Sequence, residues 1–254
     1  RVAEKRRYVR LSAGDRDTAA ERGENCDTRG VAVPGIIQAG GPGLDFQPEG
    51  SGGQTDEPGV LSFGTQRSAA LGGIPVALTN DANAAAVGEM TYGVAKGMKH
   101  FIMITLGTGV GSGIVINGEV LYGSDGFAGE LGHTCAVRHN GRQCGCGKQG
   151  CLEAYCSAMG VARTAREWLE MSDEPSLLRS VDKITSKDVY DAAKEGDVLA
   201  KKIFDYTGRI LGEKLADFIE FSAPEAIVLF GGLARAKEFI YEPTIKAMNE
   251  NVLP

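Results

Sequence analysis

The strongest constraint on the fold is a cluster of one histidine and three cysteines in a short stretch of chain. His133, Cys144, Cys146 and Cys151 fall within nineteen positions, and glycines between the cysteines permit the tight turns that this spacing needs. Zinc prefers tetrahedral nitrogen and sulfur ligands, and four protein ligands leave no open coordination position. The spacing therefore predicts a structural zinc site in a loop over residues 132–151.

The other cysteines and histidines fit this pattern less well. Cys135 lies close enough in the sequence to be a competing ligand, whereas Cys26 and Cys156 are expected to be ordinary small residues. His100 and His139 are interpreted as structural or solvent-facing. In a reducing compartment, six cysteines in a chain of this size indicate metal ligands and free thiols rather than a disulfide framework.

Composition places the chain among globular proteins. Its 254 residues are 43% hydrophobic and 24% charged, with a net charge of −6. Nucleic-acid binders usually carry a basic excess, so no nucleic-acid partner is expected. No apolar run approaches the roughly 18–20 residues of a membrane span, and the charged N-terminus lacks the apolar stretch of a signal peptide. These features predict a cytoplasmic protein without a membrane partner.

The chain changes character near residue 70. Residues 1–70 carry eight arginines to one lysine, with clustered glycine and proline and no sustained helical or strand pattern. This segment is interpreted as low-complexity or disordered. Residues 71–254 carry seven arginines to eleven lysines, and their predicted strands and helices alternate. The second region therefore predicts an α/β fold.

Apolar runs and helical periodicity give the expected elements of residues 71–254. The predicted strands lie at 74–79, 100–106, 112–117, 119–122 and 226–230. An alanine-rich helix is predicted after Asn80-Asp81-Ala82-Asn83, ending near Gly93. Further predicted helices cover 152–171, 186–195 and 197–221, and another begins near 236.

A glycine-rich turn, Gly107-Thr108-Gly109-Val110-Gly111, lies between two of these strands. Glycines allow backbone N–H groups to approach phosphate oxygens closely, so the turn is a candidate phosphate site. Since no helix follows the glycines, the segment is neither a dinucleotide fingerprint nor a Walker loop. Tight turns also use glycine for purely structural reasons, and this alternative stays open.

Two pairs of polar residues are further candidates. Asn80 and Asp81 follow a predicted strand, where open α/β sheets place ligand groups. Either residue could cap the following helix, or Asp81 could accept a proton from a hydroxyl that attacks a phosphate. Glu130 and Glu153 flank the metal loop, and each is either a solvated charge or an acceptor for sugar hydroxyls.

Five motifs in this order resemble the ROK family of sugar kinases and repressors, and the resemblance covers residues 71–254. They are Asn80-Asp81-Ala82-Asn83, Gly107-Thr108-Gly109-Val110-Gly111, Gly129-Glu130-Leu131-Gly132-His133, Cys144-Gly145-Cys146-Gly147-x-x-Gly150-Cys151-Leu152-Glu153 and Gly231-Gly232. The resemblance implies an actin-like ATPase (ribonuclease H-like) fold, with ATP bound in a cleft between two lobes.

The resemblance also implies a role for each motif. Asp81 is the implied catalytic base, and the implied sugar contacts are Asn80, Asp81, Glu130, His133 and Glu153. Thr108, Gly109 and Gly111 are implied phosphate contacts, with Gly231 and Gly232 on the adenosine side. His133 would serve both the sugar and the zinc ion, whose other ligands are Cys144, Cys146 and Cys151.

The implied reaction is transfer of the ATP γ-phosphoryl group to a hexose, with Mg²⁺, and glucose with glucose 6-phosphate is the implied substrate and product. A kinase for N-acetylmannosamine or fructose is one alternative. A sugar-sensing transcriptional repressor of the same family, with an N-terminal helix-turn-helix, is another. The resemblance further implies a homodimer or homotetramer.

One family feature is not found. Family members begin with an Asp-x-Gly-Gly-Thr turn that binds phosphate, and residues 1–70 do not contain it. We therefore expect the N-terminal lobe to be missing or aberrant and the C-terminal lobe to be complete or nearly so. We also expect the chain as written to be a weak kinase or inactive.

Overall fold

The computed structural model describes residues 9–11 and 79–253. The chain forms two compact units, one of residues 1–14 and 85–254 and the other of residues 15–84. Most of the segment 1–70 and most of the predicted strand 74–79 lie outside the described residues. Within the described ranges, no helix is both long and apolar enough to cross a membrane.

The described elements alternate between strands and helices, as predicted. The strands are β1 (Val9–Leu11), β2 (Phe101–Leu106), β3 (Val110–Ile116), β4 (Glu119–Val120) and β5 (Ala226–Phe230). The helices are α1 (Asp81–Tyr92), α2 (Glu153–Cys156), α3 (Ala158–Met171), α4 (Ser186–Lys194), α5 (Val198–Ser222) and α6 (Glu238–Asn251). Short 3₁₀ turns lie at Leu131–His133, Leu177–Ser180 and Leu233–Ala236.

The described strands form one mixed sheet in the order β1-β5-β2-β3-β4. Strands β1, β5 and β2 run parallel to one another, while β3 and β4 continue the sheet as antiparallel neighbours. Phe101 of β2 pairs with Ala226 on one side and with Val115 on the other. The hairpin β2–β3 therefore carries its glycine-rich turn at the end where β2 and β5 also finish.

Strand β2 is buried on both faces, which explains its continuous apolar sequence. Because side chains alternate along a strand, Ile102, Ile104 and Leu106 join the larger core with the helices α2–α6. Phe101 and Met103 point to the other face and join a smaller core with Ala86 of α1 and Val228 of β5. The sheet therefore contributes to two cores, and the site described below lies next to the larger one.

The prediction of one helix over 152–171 is wrong, because Ser157 separates α2 from α3. Its backbone is extended, with φ −86° and ψ 167°, and its Oγ accepts a hydrogen bond from the Gly160 N–H at 3.0 Å. Ser157 is thus the N-cap of α3. The predicted strand 112–117 also begins earlier, at Val110, which pairs with Leu106. The glycine-rich turn is correspondingly shorter than the sequence suggested.

Asp197 caps α5 and joins it to the preceding turn. Its Oδ1 accepts from the Ala200 N–H at 2.8 Å, and its Oδ2 accepts from the Leu177 N–H at 2.6 Å and the Ser176 hydroxyl at 2.8 Å. Burial favours the neutral carboxyl, but these hydrogen bonds outweigh it and hold the pKa of Asp197 below its usual value. The ionised form therefore stabilises the fold.

We expect Asp197→Asn to lower the free energy of unfolding at pH 7 by about 1–2 kcal/mol. Asparagine has one acceptor oxygen in place of two, so it cannot accept from both the Ala200 and the Leu177 N–H. The folded pKa lies below the unfolded value, so this contribution is complete above about pH 4 and is lost as the pH falls through the folded pKa. Urea denaturation from pH 7 to pH 3 measures both effects. A loss as large in the exposed control Asp173→Asn would contradict this account.

Candidate functional site

The four predicted metal ligands lie together. The ligand atoms of His133, Cys144, Cys146 and Cys151 are all within 4.8 Å of one another. His133 Nδ1 lies 3.7 Å from Cys144 Sγ, and the Sγ atoms of Cys146 and Cys151 are also 3.7 Å apart. A tetrahedral ion with zinc-like bonds of about 2.0–2.3 Å requires ligand separations of about 3.6–3.8 Å. The two 3.7 Å separations therefore match a tetrahedral metal centre, and the other ligand pairs lie within 4.8 Å.

Cys135 faces the loop without joining these four ligand atoms. It pairs with Cys151 in an isolated antiparallel bridge, and Gln143 pairs with Gln149 in a second one. The two bridges close the loop on itself. The group of four ligand atoms is complete without Cys135, so the structure does not favour Cys135 as a competing ligand.

Arg142 anchors the metal loop to the helices behind it. Its side chain is only 8% exposed, and its guanidinium donates to Glu167 Oε2 from Nε at 3.0 Å and to Thr164 Oγ1 from Nη1 at 2.9 Å. The guanidinium carbon also lies 4.7 Å from the centre of the Tyr155 ring. Burial opposes ionisation of Glu167, but hydrogen bonds from Arg163 and Arg142 lower its pKa. Sequence reasoning missed Arg142, whose partners lie on separate elements.

We expect Arg142→Lys to lower the free energy of unfolding by about 2–3 kcal/mol, since an ammonium cannot reproduce the planar, forked contacts of the guanidinium. The exposed Arg138→Lys, in the same loop, is the matched control and should change stability by less than about 0.5 kcal/mol. Urea denaturation of the metal-loaded protein measures both. Equal midpoints for the two variants would show that Arg142 is no anchor.

The glycine-rich turn is reduced to residues 107–109, between β2 and β3. The Gly107 N–H donates to the Gly109 carbonyl at 3.0 Å, and the Ala158 N–H donates to the Gly107 carbonyl at 2.8 Å. The second bond fixes the turn against the start of α3. Thr108 and Gly109 thus lie in the turn, whereas Gly111 lies within the strand pair opposite Thr105.

Glu153, predicted as a sugar contact, bonds to this turn. Its Oε2 accepts from the Val110 N–H at 2.9 Å, and its Oε1 lies 3.6 Å from Cys144 Sγ. A Cβ atom on Gly109 would overlap Glu153 Oε2, so the missing side chain at position 109 makes room for the carboxylate. Glu153 therefore contacts both the metal loop and the turn.

The segment with Glu130 and His133 packs against strand β3 of the same hairpin. The Leu131 N–H donates to Ser112 Oγ at 3.1 Å. Gly132 is buried, and a Cβ atom there would collide with the Val110 carbonyl. The second glycine of this motif is therefore required by the close approach of two backbones.

The imidazole of His133 has two different neighbours. Its Nδ1 faces the metal cluster, and its Nε2 lies 4.0 Å from Glu130 Oε2. Glu130 is exposed and His133 is partly exposed. The ring can therefore coordinate a metal ion with one nitrogen while the other stays accessible, as the predicted double role requires.

A cavity of about 370 Å³ lies between the turn and the metal loop, and Glu130 and His133 are not among its lining residues. It is lined by Thr108 and Gly109 of the turn, by Cys144 of the metal loop, by Glu153 and by Arg163 of α3, among others. Its volume is in the range of small-molecule sites. Predicted phosphate contacts, a predicted sugar contact and a predicted metal ligand thus share one cavity.

Asn80 and Asp81 belong to the other compact unit, residues 15–84. The Asn83 N–H donates to Asn80 Oδ1 at 2.7 Å, so Asn80 caps α1. Asp81 is the first helical residue and is exposed, and its Oδ1 accepts from the Ala82 N–H at 2.8 Å. The structure therefore gives the capping role to Asn80 and leaves Asp81 accessible.

The two glycines after β5 differ in what the backbone requires of them. Gly231 has a φ of +106°, and a Cβ atom there would come within 2.5 Å of the Leu106 carbonyl oxygen. Glycine is therefore required at position 231 for conformational reasons alone. A Cβ atom on Gly232 would meet open space.

Comparisons with known proteins agree with these motifs. A family model described as ROK family matches residues 17–253. A glucokinase of Halalkalibacterium halodurans is 42% identical over 184 residues, which cover 71% of this chain and 56% of the relative. A glucokinase of Thermotoga maritima is 34% identical over 254 residues, covering 94% of this chain and 80% of the relative.

Among solved structures, a ROK family glucokinase from Streptomyces griseus in complex with glucose and AMPPNP is 36% identical, with a TM-score of 0.67. The match covers 75% of this chain and 62% of that one. It confirms the predicted α/β, actin-like ATPase fold for the matched region. The chain spans less than two thirds of the length of two of these relatives. It covers 56% of the Halalkalibacterium protein and 62% of the Streptomyces griseus protein.

Proposed function

The chain belongs to the ROK family, and we propose that it is an ATP-dependent sugar kinase that converts glucose to glucose 6-phosphate. The observation that carries the proposal is the single cavity in which the turn, Glu153 and the metal ligand Cys144 meet. The named relatives support it, because all three are glucokinases. The match to the family model begins at residue 17, so it includes part of the segment 1–70 that was predicted to be low-complexity or disordered.

Proton transfer is assigned to Asp81. Its carboxylate orients the 6-hydroxyl of glucose and accepts the proton as that oxygen attacks the γ-phosphorus of ATP. Asn80 contacts the sugar and, as the cap of α1, holds the start of the helix in place. The exposure of Asp81 is compatible with this role.

The remaining sugar contacts are Glu130, His133 and Glu153. Carboxylates accept hydrogen bonds from sugar hydroxyls, and the free nitrogen of His133 can donate or accept one. The phosphate contacts are Thr108, Gly109 and Gly111, with Gly231 and Gly232 on the adenosine side. Backbone N–H groups of the turn would donate to phosphate oxygens, and Mg²⁺, the cation that kinases use, would supply further charge stabilisation when bound with ATP.

The metal centre is assigned to zinc, with His133, Cys144, Cys146 and Cys151 as ligands. The ligand separations and the all nitrogen-and-sulfur donor set support zinc. When bound, the ion supplies a scaffold, because four protein ligands leave no position for substrate. Cys144, Cys146 and Cys151 are free thiols, which persist in reducing compartments, so a cytoplasmic location is proposed. A homodimer or homotetramer is the proposed assembly.

A coupled assay for ATP consumption tests the function. The chain is assayed beside a version in which residues 1–70 are replaced by a lobe carrying the Asp-x-Gly-Gly-Thr turn. We expect turnover of glucose in the rebuilt version and weak or no turnover in the chain as written. Glucose should give a higher kcat/KM than N-acetylmannosamine or fructose. Turnover of another sugar would correct the substrate, and DNA binding without turnover would favour the repressor.

A further inference from the structure

We propose that Glu153 is a positioning residue that couples the metal loop to the glycine-rich turn, so that metal binding sets the geometry of the turn and its affinity for the ATP phosphates. The coupling rests on contacts between described residues. Only the identity of the ligand rests on the proposed function. This role is separate from the sugar contact assigned to Glu153 above.

Glu153 is hydrogen-bonded to the residue that follows the turn. The Val110 N–H, at the point where β3 begins, donates to Glu153 Oε2 at 2.9 Å. A hydrogen bond to an ionised acceptor is roughly twice as strong as a bond between neutral groups. The two residues are 43 positions apart, so this bond is a tertiary contact and not a local turn. It holds one end of the turn.

The position of Glu153 depends on the metal loop. Glu153 follows the ligand Cys151 by two residues, and both Cys151 and Leu152 are fully buried. The Leu152 N–H donates to the Thr134 carbonyl at 3.0 Å, next to the ligand His133. An ion that holds His133 and Cys151 therefore also holds the start of α2, where the Glu153 carboxylate is attached.

The Glu153 carboxylate packs closely against the turn at Gly109. A methyl group on Gly109 would occupy the place of Glu153 Oε2. Because this oxygen is the far end of a flexible side chain, Gly109→Ala should displace the carboxylate from Val110 rather than block folding. Glycine at position 109 therefore serves two purposes, since it exposes the backbone to a phosphate and accommodates Glu153.

The other end of the turn is held independently. The Ala158 N–H donates to the Gly107 carbonyl at 2.8 Å, and α3 is capped by Ser157. Loss of Glu153 or of the metal therefore frees only the Val110 end. The turn should stay in place but lose the fixed direction of its N–H groups, which matters for phosphate binding and little for overall stability.

A sugar contact and a positioning role predict different behaviour for two substitutions. Glutamine keeps a side-chain oxygen that accepts from the Val110 N–H, whereas alanine does not. A positioning role therefore predicts that Glu153→Gln retains the turn and the ATP affinity. It predicts that Glu153→Ala and Gly109→Ala lose both. A role of Glu153 in sugar binding alone would leave ATP affinity unchanged in both Glu153 variants, whereas Gly109→Ala, at a proposed phosphate contact, is judged by the exchange of the Val110 amide.

The experiment uses the full chain with Glu153→Ala, Glu153→Gln and Gly109→Ala, and with Glu170→Ala as a control at an exposed position of α3. Zinc per chain is measured first, and we expect all four variants to retain it. Hydrogen exchange of the Val110 amide is then measured in each variant and in the parent chain stripped of metal by a chelator. The affinity for AMPPNP is measured by calorimetry.

We expect the Val110 amide to exchange at least about tenfold faster in Glu153→Ala, in Gly109→Ala and in the metal-stripped parent, but not in Glu153→Gln or Glu170→Ala. The dissociation constant for AMPPNP should rise about tenfold in the same three samples. In the kinase assay, run in whichever form turns over, the chain as written or the version with a rebuilt N-terminal lobe, the KM for ATP should rise in Glu153→Ala and return to the parent value in Glu153→Gln.

Unchanged Val110 exchange in Glu153→Ala or in the metal-stripped parent would overturn the coupling. Loss of zinc in Glu153→Ala would also overturn it, because Glu153 would then support the metal loop itself. If Val110 exchange responds as expected while neither these samples nor the version with a rebuilt N-terminal lobe binds AMPPNP, the coupling is supported and the proposed function fails. If AMPPNP binds all samples equally, Glu153 does not control nucleotide affinity.

Discussion

Replacing Asp81 with asparagine is expected to lower kcat for glucose phosphorylation by about 10²–10⁴-fold, the usual contribution of a positioned general base. Asparagine keeps the size of the side chain and the Oδ1 atom that accepts from the Ala82 N–H. Only the ability to take a proton is lost. The KM for ATP should therefore change by less than about twofold, since nucleotide contacts are not involved.

The measurement is a steady-state assay in whichever form of the protein turns over, the chain as written or the version with a rebuilt N-terminal lobe. Asp182→Asn, at an exposed position, is the matched control and should leave kcat unchanged. Thermal melting of Asp81→Asn should match the parent, because Asn80 carries the cap of α1. An unchanged kcat would remove the general base from Asp81.

The second large effect is expected at Cys151. We expect Cys151→Ser to weaken zinc affinity by more than about 100-fold, because even groups that merely orient zinc ligands contribute 10–100-fold. A hydroxyl is a poor substitute for a thiolate as a zinc ligand, and the Cys151 side chain is fully buried. Zinc per chain after exhaustive dialysis should fall from about one to near zero.

Cys135→Ser provides a control of the same chemistry. Cys135 lies opposite Cys151 in the bridge, yet it is outside the group of four ligand atoms. We expect this variant to retain about one zinc ion per chain, which a colorimetric zinc titration can measure. Equal zinc loss in both variants would show that Cys135 is a ligand or that the bridge itself holds the site.

Elements whose burial and capping are local could be predicted from the sequence. Strand β5 lies where it was expected, since an apolar run of five residues followed by two glycines has few alternatives. Helix α4 ends within one residue of its prediction, and Thr185 and Asp188 form a capping box at its start. In such segments, neighbouring residues alone decide the structure.

The break at Ser157 could not be predicted, because a serine within a helical pattern is compatible with both a continuous helix and a cap. The bond from the Ala158 N–H to Gly107, fifty-one positions earlier, accompanies the break. Such a contact leaves no local signal in the sequence.

The candidate site shows the same division. The four metal ligands could be identified together because they lie in one loop, where spacing in the sequence limits spacing in the structure. The contacts of Glu153 with Val110 and of Arg142 with Glu167 join distant segments. The sequence identified Glu153 through its motif but not its bond to the turn, and it gave no reason to select Arg142.

The collision that a side chain at position 132 would make with the Val110 carbonyl affects how variation in this protein is interpreted. A saturation library at this position, selected for folded protein, should yield glycine alone. That intolerance would be as strong as at a substrate contact, although it arises from two backbones that leave no space between them. Within Gly129-Glu130-Leu131-Gly132-His133, mutational sensitivity alone would therefore not distinguish residues with a chemical role from Gly132, which is required because the Val110 backbone lies so close.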